Sequence, residues 1–401
     1  MRLIGNKTKL LPEIEGFLAG RGVTGGTLLD VFGGTGSVAR HFRRRGFRVR
    51  GNDLLRSSAL RQRTYLTLSA YPAFRRARGR PELRHFRASA VAKQARRAAP
   101  TGAGALAEVL CYLDHLEPVQ GLFARQYAQG GSAERLYFSA ENGGRIDAIH
   151  GQIVAWLRAG VLSDDELAVL LTSLLEAADR VANISGTYGA FLKKLQSSAT
   201  EPLRLRLPKL DVGAPTGRVY NEDANRLVKR LSVDVLYVDP PYNGRQYAKN
   251  YHVLEVLAEL HRIEDLEAYE AGIYGKTGLR KFEDRLSSYC RKRSTRERPS
   301  CVEAFRDLVA SAKAEHVVIS YSEEGILTRE QIGAALAEAV GASDYDFARD
   351  HAEVRYRRFR SDSDTEERQY RQLEGRGRDE VAEWLFYLHK PRKQGAARRV
   401  A

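Results

Sequence analysis

The sequence predicts an α/β fold, in which a doubly wound sheet is interrupted by a long and mostly helical insertion. Apolar runs of strand length occur near the start of the chain and again from about residue 210 onwards. Between them lies a stretch with helical patterning. We therefore expect a core formed by residues 1–58 and 201–401, an insertion at residues 59–200, and a variable region of the core at residues 263–300.

The first part of the core is predicted to form a strand, a glycine turn, a helix and a second strand. Residues 27–32 (TLLDVF) are a short apolar run, which is followed by the tight turn Gly33–Gly36. Residues 37–45 follow as a predicted helix, and residues 47–50 (FRVR) as the next strand, which ends near Asp53. This order is typical of a βαβ unit with parallel strands.

The sequence predicts where one helix of the insertion begins. Ser163-Asp164-Asp165-Glu166 has the spacing of a capping box, in which serine and glutamate satisfy backbone amides at the helix start. The apolar residues that fall on one face of the predicted helix are Leu167, Leu170, Leu171, Leu174, Leu175 and Ala178. We therefore expect a helix that faces a hydrophobic core.

Three apolar runs predict strands in the second part of the core. They are residues 233–238 (VDVLYV), 316–321 (HVVISY) and 384–388 (WLFYL). The first of these runs leads directly into Asp239-Pro240-Pro241-Tyr242, so this segment is expected at the end of a strand.

The composition limits the classes of protein that the chain can represent. With 65 Lys and Arg against 50 Asp and Glu, the net charge is +15, which favours a polyanionic partner or reflects an arginine-rich proteome. Cys111, Cys290 and Cys301 lack metal-binding spacing, so we expect a reduced, cytoplasmic protein with neither a disulfide framework nor a metal site. We also expect no membrane span and no signal peptide.

The glycine turn is a candidate cofactor site. Glycines at a strand-to-helix turn let the backbone approach a ligand closely, and the amides at the helix start add donors. Asp53 lies 19 residues after Gly34, where an acidic residue of the second strand can bind ribose hydroxyls. Residues 34–39 (GTGSVA) also match the dinucleotide fingerprint GxGxxA, so an NAD-dependent oxidoreductase and a turn without a ligand are both alternatives here.

The segment Asp239-Pro240-Pro241-Tyr242 distinguishes among these alternatives. A carboxylate at a strand end, two prolines that restrict the backbone, and an aromatic ring suit a planar base with an exocyclic amine. Asp239 and the carbonyl oxygen of Pro240 can each accept a hydrogen bond from that amine, while Tyr242 can stack on the ring. An NAD enzyme leaves the segment unexplained, and a proline turn that closes the strand is the purely structural alternative.

Taken in order, these segments resemble the Dam-type adenine-specific DNA methyltransferases, and most closely the adenine methylases of restriction–modification systems. The glycine motif precedes Asp-Pro-Pro-Tyr, as in that family. The resemblance covers most of the chain outside the Arg-rich stretch at residues 72–98, part of 263–300 and the tail. The similar stretches are residues 4–10 (IGNKTKL), 181–194 (VANISGTYGAFLKK), 239–255 (DPPYNGRQYAKNYHVLE) and 320–325 (SYSEEG), with Phe32, Gly34, Gly36, Asp53 and Asp223.

The resemblance implies a Rossmann-like methyltransferase core that binds S-adenosyl-L-methionine and double-stranded DNA, with a cognate restriction endonuclease as an expected partner. The implied catalytic residues are Asp239, Pro240, Pro241 and Tyr242. The implied cofactor-binding residues are Leu3, Lys7, Asp30, Phe32, Gly34, Gly36, Asp53, Asp223 and Asp239. Among them, Lys7 would border the methionine part of the cofactor and the target base, and Asp223 would face its adenine. Leu3 departs from the family pattern, where an aromatic residue is frequent.

DNA contacts are expected after the catalytic segment and in the basic runs. Arg245, Tyr247 and Asn250 are the predicted DNA-binding residues, because they would lie close to the pocket for a flipped-out base. The basic runs at residues 75–97 and 291–298 are either solvated faces or phosphate contacts. Target recognition is expected in the insertion at residues 59–200 or in residues 263–300.

The predicted reaction is methyl transfer from S-adenosylmethionine to the N6 amino group of an adenine that is flipped out of the duplex, at a cost of about a few kcal/mol. Hydrogen bonds accepted by Asp239 and Pro240 would favour a pyramidal nitrogen and expose its lone pair. This chemistry needs neither a metal ion nor a cysteine nucleophile. The alternatives are methylation of the cytosine amine, methylation of adenine in RNA, and a DNA-binding module without activity.

Overall fold

The structure of the chain is a computed structural model, which describes residues 7–357 and 380–390. Leu3, one of the predicted cofactor-binding residues, lies outside the described residues. The described residues form two units. The sheet unit consists of residues 7–54, Gly217–Gln246, 286–357 and 380–390, and the helical unit consists of Leu55–Thr216 and Tyr247–Arg285.

The strands are β1 (Thr27–Asp30), β2 (Arg48–Asn52), β3 (Arg218–Tyr220), β4 (Ser232–Val238), β5 (Lys313–Ser322), β6 (His351–Arg357) and β7 (Glu380–His389). The helices are α1 (Leu11–Ala19), α2 (Ser37–Arg44), α3 (Arg56–Thr67), α4 (Pro81–Phe86), α5 (Ala90–Ala98), α6 (Gly104–Leu113), α7 (Leu122–Tyr127), α8 (Ala140–Arg158), α9 (Asp164–Arg180), α10 (Ser197–Thr200), α11 (Ala224–Arg230), α12 (Tyr247–Asn250), α13 (His252–Glu259), α14 (Leu266–Ala271), α15 (Cys301–Ser311), α16 (Arg329–Glu338) and α17 (Phe347–Asp350). Short 3-10 helices occur at Thr8–Leu10, Ala77–Gly79, Leu260–Arg262, Glu283–Arg285 and Ser288–Cys290. No helix in the described ranges has both the length and the apolar character that crossing a membrane requires.

Within residues 7–357 and 380–390, the sheet has seven strands in the order β3-β2-β1-β4-β5-β7-β6. Strands β3, β2, β1, β4 and β5 are parallel, while β7 lies antiparallel between β5 and β6. The strand order reverses at β1, because β2 and β3 extend to one side of it and β4 and β5 to the other. The predicted α/β fold with a mostly parallel sheet is confirmed.

The strand, turn and helix at the start of the core follow the predicted order. Leu28 and Leu29 of β1 are fully buried, as expected for a strand inside a parallel sheet. The chain then turns at Gly36, whose φ of 75° lies in the left-handed region, and α2 begins at Ser37. The strand therefore ends at Asp30, two residues before the end of the predicted run at residues 27–32. The residues after Asp30 belong to the turn.

The sequence does not predict β3 or β6. Strand β3 has three residues, which is too short for a periodic pattern to appear. Strand β6 (HAEVRYR) is rich in charged residues, which are common on the edge strand of a sheet. Strand β7 is longer than the predicted run at residues 384–388, because the run is interrupted by Glu383, a buried acid in the strand interior.

The helical unit has its own hydrophobic core. Helix α9 begins after Ser163, which forms the predicted capping box with Glu166. On its apolar face, Leu170, Leu171 and Leu174 are fully buried in that core. The predicted helix and its apolar face are therefore confirmed.

The helical unit is larger than the insertion expected at residues 59–200. Leu203 and Leu205 pack in its core, and every residue of α13 is buried. A helix that is buried on all sides is surrounded by other elements. Helix α13 therefore belongs to the helical unit. The unit thus takes in residues 201–216 and 247–285 as well.

Three residues of the Arg-rich stretch converge on one buried carboxylate. Glu108 of α6 is fully buried, and nitrogen atoms of Arg78, Arg87 and Arg96 lie 3.1, 2.5 and 3.2 Å from its oxygens. A buried carboxylate requires such partners, because an unpaired buried charge is costly. These three arginines therefore form a structural charge cluster inside the helical unit.

Candidate active site

The carboxyl ends of β1 and β4 bring Asp30 and Asp239 to the point where the strand order reverses. In the register of these strands Asp30 pairs with Tyr237, whose carbonyl oxygen accepts a hydrogen bond from the Val31 amide at 3.2 Å. Asp30 ends β1, and Asp239 directly follows β4. Ligands of open α/β sheets bind outside the carboxyl ends of the strands at such a reversal.

Asp239 forms an ion pair with Lys7. The Lys7 Nζ atom lies 3.2 Å from Asp239 Oδ1 and 2.7 Å from Glu383 Oε1, and the three side chains are 4%, 15% and 0% exposed. Burial raises the pKa of Asp239 to about 7, although Lys7 lowers it. Burial by itself lowers the pKa of Lys7, but Asp239 and Glu383 raise it well above its usual range. The lysine therefore remains an ammonium beside Asp239.

The segment after Asp239 is held between buried elements. Pro240 is buried, and the carbonyl oxygen of Tyr242 accepts a hydrogen bond from the Ile326 amide at 3.0 Å. Lys7 Nζ lies 5.8 Å from the centroid of the Tyr242 ring. Burial raises the pKa of Tyr242 to about 12, so its side chain is a neutral phenol. The ring is partly exposed, which leaves part of it open to a ligand.

The glycine turn is closed by backbone hydrogen bonds. The Gly33 amide donates to the carbonyl oxygen of Asn52 at 2.7 Å, and the Gly36 amide donates to that of Gly33 at 2.6 Å. Gly34 and Gly36 have φ angles of 49° and 75°, which favour glycine over residues with a Cβ atom. The Gly34 amide donates to Asp53 Oδ2 at 2.8 Å, so Asp53 lies against the turn.

Asn52 connects the carboxyl ends of three neighbouring strands. Its Nδ2 atom donates to the carbonyl oxygens of Val31 and Glu222 at 2.9 and 3.1 Å, and the Glu222 amide donates back to Oδ1 at 3.2 Å. Asp223 follows directly and caps α11 by accepting a hydrogen bond from the Arg226 amide at 3.0 Å. Asp223 is thereby held close to the ends of β2 and β3.

Phe32 packs edge to face against an aromatic residue from a distant part of the chain. Its ring centroid lies 4.8 Å from that of Tyr289, with 73° between the ring planes. The Tyr289 hydroxyl donates to Asn225 Oδ1 at 2.8 Å, which fixes the ring against α11. The wall of the site beside the glycine turn is therefore aromatic.

The two carboxylate oxygens of Asp30 differ in their contacts with the described residues. Its Oδ2 accepts a hydrogen bond from the Ala39 amide at 3.3 Å, whereas its Oδ1 has no hydrogen-bond partner within the described residues. The side chain is almost fully buried, and this burial, with the charge of Asp239, raises its pKa to about 8. Buried polar atoms of proteins nearly always have a partner, so this atom suits a cationic ligand.

The predicted DNA-binding residues belong to different units. Arg245, in the sheet unit, is exposed, and its backbone amide donates to Asn243 Oδ1 at 3.0 Å. Tyr247 and Asn250 belong to the helical unit, where Tyr247 is partly buried against the core. Asn250 is 8% exposed, and its carbonyl oxygen accepts a hydrogen bond from the Tyr188 amide at 2.8 Å. The DNA-binding role of all three residues remains a prediction.

Three residues of this site, Glu383, Asn52 and Tyr289, are not among the predicted site residues. One feature of the sequence indicates a role for Glu383, because it is an acid within an otherwise apolar strand (VAEWLFYL). Asn52 directly precedes the predicted Asp53, but nothing in the sequence shows that its amide spans three strands. Tyr289 carries no local signal, because its contact with Phe32 joins segments that are far apart in the sequence.

The chain matches the family model of the D12 class N6 adenine-specific DNA methyltransferases over residues 3–66 and 111–332. The matched residues include Lys7, the glycine turn and the segment that begins at Asp239. The match therefore covers the segments on which the resemblance seen in the sequence rests.

Curated relatives are similar over nearly the whole chain. The Type II methyltransferase M.NlaIII of Neisseria lactamica is 34% identical over 92% of this chain and 96% of its own length. The Type II methyltransferase M.FokI of Planomicrobium okeanokoites is 32% identical over 97% of this chain and 53% of its own length. Modification methylase StsI of Streptococcus sanguinis is 29% identical over 97% and 52%, so the chain spans about half the length of these last two relatives.

Proposed function

This chain belongs to the D12 class of N6 adenine-specific DNA methyltransferases, and from that premise we propose that S-adenosylmethionine is its methyl donor and Asp239–Tyr242 its catalytic segment. The observation that carries the proposal is the buried ion pair of Lys7 and Asp239 at the end of β4. A carboxylate in this position accepts a hydrogen bond from an amine, and the ammonium of Lys7 favours its ionised form.

The fit of the donor rests on Asp30 and on the glycine turn. S-adenosylmethionine carries a sulfonium and an ammonium group, and when bound it supplies an electrophilic methyl group. The Oδ1 atom of buried Asp30, which has no hydrogen-bond partner in the part of the chain that the structure describes, is an acceptor for positive charge. Gly34 and Gly36 let the backbone approach the ligand, with Phe32 as an aromatic wall. The further residues that we assign to donor binding are Leu3, Lys7, Asp53, Asp223 and Asp239.

The target base is held by the catalytic segment. We assign to Asp239 and to the carbonyl oxygen of Pro240 the two hydrogen bonds from the adenine amine, and to Tyr242 stacking on the flipped-out ring. The amine of adenine is a weak nucleophile, because its lone pair is delocalised into the ring. Accepting hydrogen bonds from this amine makes the nitrogen more pyramidal, and these interactions strengthen in the transition state. The nitrogen would gain the methyl group as the carbon–sulfur bond of the donor breaks with its electron pair left on sulfur, and one amine proton would then pass to solvent.

We assign DNA contact to Arg245 and to parts of the helical unit. One turn of that unit, Tyr274–Leu279, is closed by two backbone hydrogen bonds of 2.9 and 2.8 Å. The Tyr127 hydroxyl and the His252 ring contact carbonyl oxygens of this turn at 2.8 and 2.7 Å. Tyr274 is 43% exposed and Lys276 is exposed as well. A rigid turn with an exposed aromatic ring and an ammonium group suits bases and phosphates.

A cognate restriction endonuclease is the proposed biological partner. M.NlaIII and M.FokI are Type II methyltransferases and StsI is a modification methylase, and this chain resembles them over most of its length. We infer that methylation by this chain protects a specific DNA site from cleavage. DNA treated with the enzyme and S-adenosylmethionine should resist a nuclease of the same specificity.

The proposed reaction is tested by methyl transfer to unmethylated duplex DNA from labelled S-adenosylmethionine, followed by nucleoside analysis. N6-methyladenine is the expected product. Labelled cytosine would reassign the target amine, and labelling of RNA alone would reassign the nucleic acid. Thermal unfolding gives a second readout, since S-adenosylmethionine should raise the melting temperature and NAD should not.

A further inference from the structure

Glu383 is a buried acid that contacts the lysine of the catalytic ion pair. It lies in the interior of β7 and is fully buried, and its Oε1 atom is 2.7 Å from Lys7 Nζ. The hydroxyl of Ser320 donates a hydrogen bond to the same oxygen. The Tyr356 hydroxyl lies 3.5 Å from the other carboxylate oxygen. Both oxygens of Glu383 are therefore held in place.

Lys7 is shared between two carboxylates. Its Nζ atom lies closer to Glu383 than to Asp239, with distances of 2.7 and 3.2 Å. One ammonium cannot fully neutralise two carboxylates, so part of the charge of Asp239 stays uncompensated. The charged and titratable groups that act on Asp239 are Lys7, Glu383, Asp30, Tyr237, Tyr242 and Tyr356.

We propose that Glu383 is a positioning residue. It holds the Lys7 ammonium and thereby limits how strongly this ammonium neutralises Asp239. This inference rests on the proposed function, in which Asp239 accepts a hydrogen bond from the target amine. A carboxylate that is fully paired with Lys7 is a weaker acceptor, because the ammonium already occupies its oxygens. Glu383 keeps Asp239 available without removing the lysine.

The burial of Glu383 is hard to explain by stability alone. Buried ion pairs are often no more stabilising than apolar side chains of similar volume, because both charges lose their hydration. An apolar residue at this point of β7 would continue the apolar run on both sides of it. The stability of β7 therefore does not account for a charge at this position, whereas the contact with Lys7 does.

The test is Glu383→Gln, which removes the charge and keeps an oxygen for the Ser320 hydroxyl. The titration of Asp239 is read by infrared difference spectroscopy on protein with labelled aspartate carboxyls, with Asp239→Asn to identify the signal. Without Glu383, Lys7 pairs with Asp239 alone, so the pKa of Asp239 should fall by roughly one unit. The maximal rate of methyl transfer should fall by roughly threefold, because Asp239 becomes a weaker acceptor and only part of the pKa change is expressed in the transition state.

A matched control is Glu108→Gln, which also replaces a fully buried glutamate that is paired with basic residues. It should leave the titration of Asp239 unchanged. Ser320→Ala is a second variant with the opposite expected sign. Loss of its hydroxyl strengthens the attraction of Glu383 for Lys7 and raises the pKa of Asp239, so it tests the inference if Glu383→Gln does not fold.

The two readouts separate this inference from the proposed function. An unchanged Asp239 titration in Glu383→Gln and in Ser320→Ala would overturn the positioning role, whatever the activity. A slower reaction with an unchanged titration would also overturn it and leave Glu383 a structural residue. The expected titration shift without any N6-methyladenine from the unmodified enzyme would support the coupling and refute the proposed reaction.

Discussion

Lys7 is the counterion of Asp239, with 3.2 Å between Nζ and Oδ1, and both side chains are largely removed from solvent. The ionisation of the proposed hydrogen-bond acceptor therefore depends on a residue of the N-terminal segment. Burial raises the pKa of Asp239 to about 7, and Lys7 opposes that rise. The site therefore loses the ionised form of Asp239 as the pH falls, and Lys7 moves that loss to lower pH.

Lys7→Met should move the acid limb of the methyl-transfer rate to higher pH. Loss of the ammonium raises the pKa of Asp239 further, so less of the ionised acceptor is present at pH 7. If that pKa rises from about 7 to roughly 8, the rate at pH 7 should fall about fivefold. Rates measured between pH 6 and 9 check this, with Lys7→Arg as the control that keeps the charge. An acid limb at its original pH in Lys7→Met would contradict the pairing.

Asp30→Asn should stabilise the protein at alkaline pH while it weakens donor binding. The pKa of Asp30 is about 8 in the folded chain, against about 4 when unfolded. The neutral form of Asp30 contributes its full stabilisation of the folded chain below about pH 4, and this contribution is lost as the pH rises through about 8. Removing the group should therefore add up to a few kcal/mol at pH 8 and less at pH 5.

Thermal unfolding at the two pH values, with and without S-adenosylmethionine, measures both effects of Asp30→Asn. Asparagine still offers an oxygen to the Ala39 amide, so the turn is preserved. The stabilisation by S-adenosylmethionine should shrink, because asparagine cannot ionise when a cationic ligand binds beside it. Undiminished stabilisation by the donor would show that Asp30 has no part in binding it.

Gly36→Ala should destabilise the sheet unit and reduce donor binding. Its φ of 75° is left-handed, so a Cβ atom costs about 1–2 kcal/mol. Gly151→Ala is a matched control in the interior of α8, where an added Cβ meets no atom of the described residues within 4 Å. That change should stabilise by about 0.5–1 kcal/mol. Equal effects of the two changes in urea unfolding would refute the strain assigned to Gly36.

Glu108→Ala should destabilise the helical unit by about 3 kcal/mol. The change leaves Arg78, Arg87 and Arg96 without their shared partner, although these side chains can still reach solvent. Glu201→Ala, at an exposed position, should change the free energy of unfolding by about 0.5 kcal/mol or less. If urea unfolding gave the two variants the same stability, Glu108 would not organise this cluster.

The local parts of the fold could be predicted from the sequence. The strand at Thr27–Asp30, the glycine turn and the helix after it are encoded by residues that are neighbours in the chain. The capping box at Ser163 is equally local, because both of its partners lie within four residues. The position of Asp239 follows from the apolar strand before it.

The parts that escaped prediction depend on contacts between distant segments. Glu383 meets Lys7 only because β7 inserts antiparallel beside β5, and no short pattern encodes that pairing. The same holds for the Arg-rich stretch. A run of basic residues has the same sequence pattern whether its side chains bind phosphate or, as Arg78 does, a buried glutamate. Helix α13 belongs to the helical unit because all of its residues are buried there. Its sequence pattern does not show with which elements it packs.

The central claim is that Asp239 accepts a hydrogen bond from the adenine amine during methyl transfer. The most direct test compares single-turnover formation of N6-methyladenine by the wild-type enzyme and by Asp239→Asn, with both saturated by S-adenosylmethionine and duplex DNA. An amide of the same size keeps the shape but loses the charged acceptor, so the rate should fall by roughly 10²–10³-fold. A variant that methylates adenine at close to the wild-type rate would contradict the account.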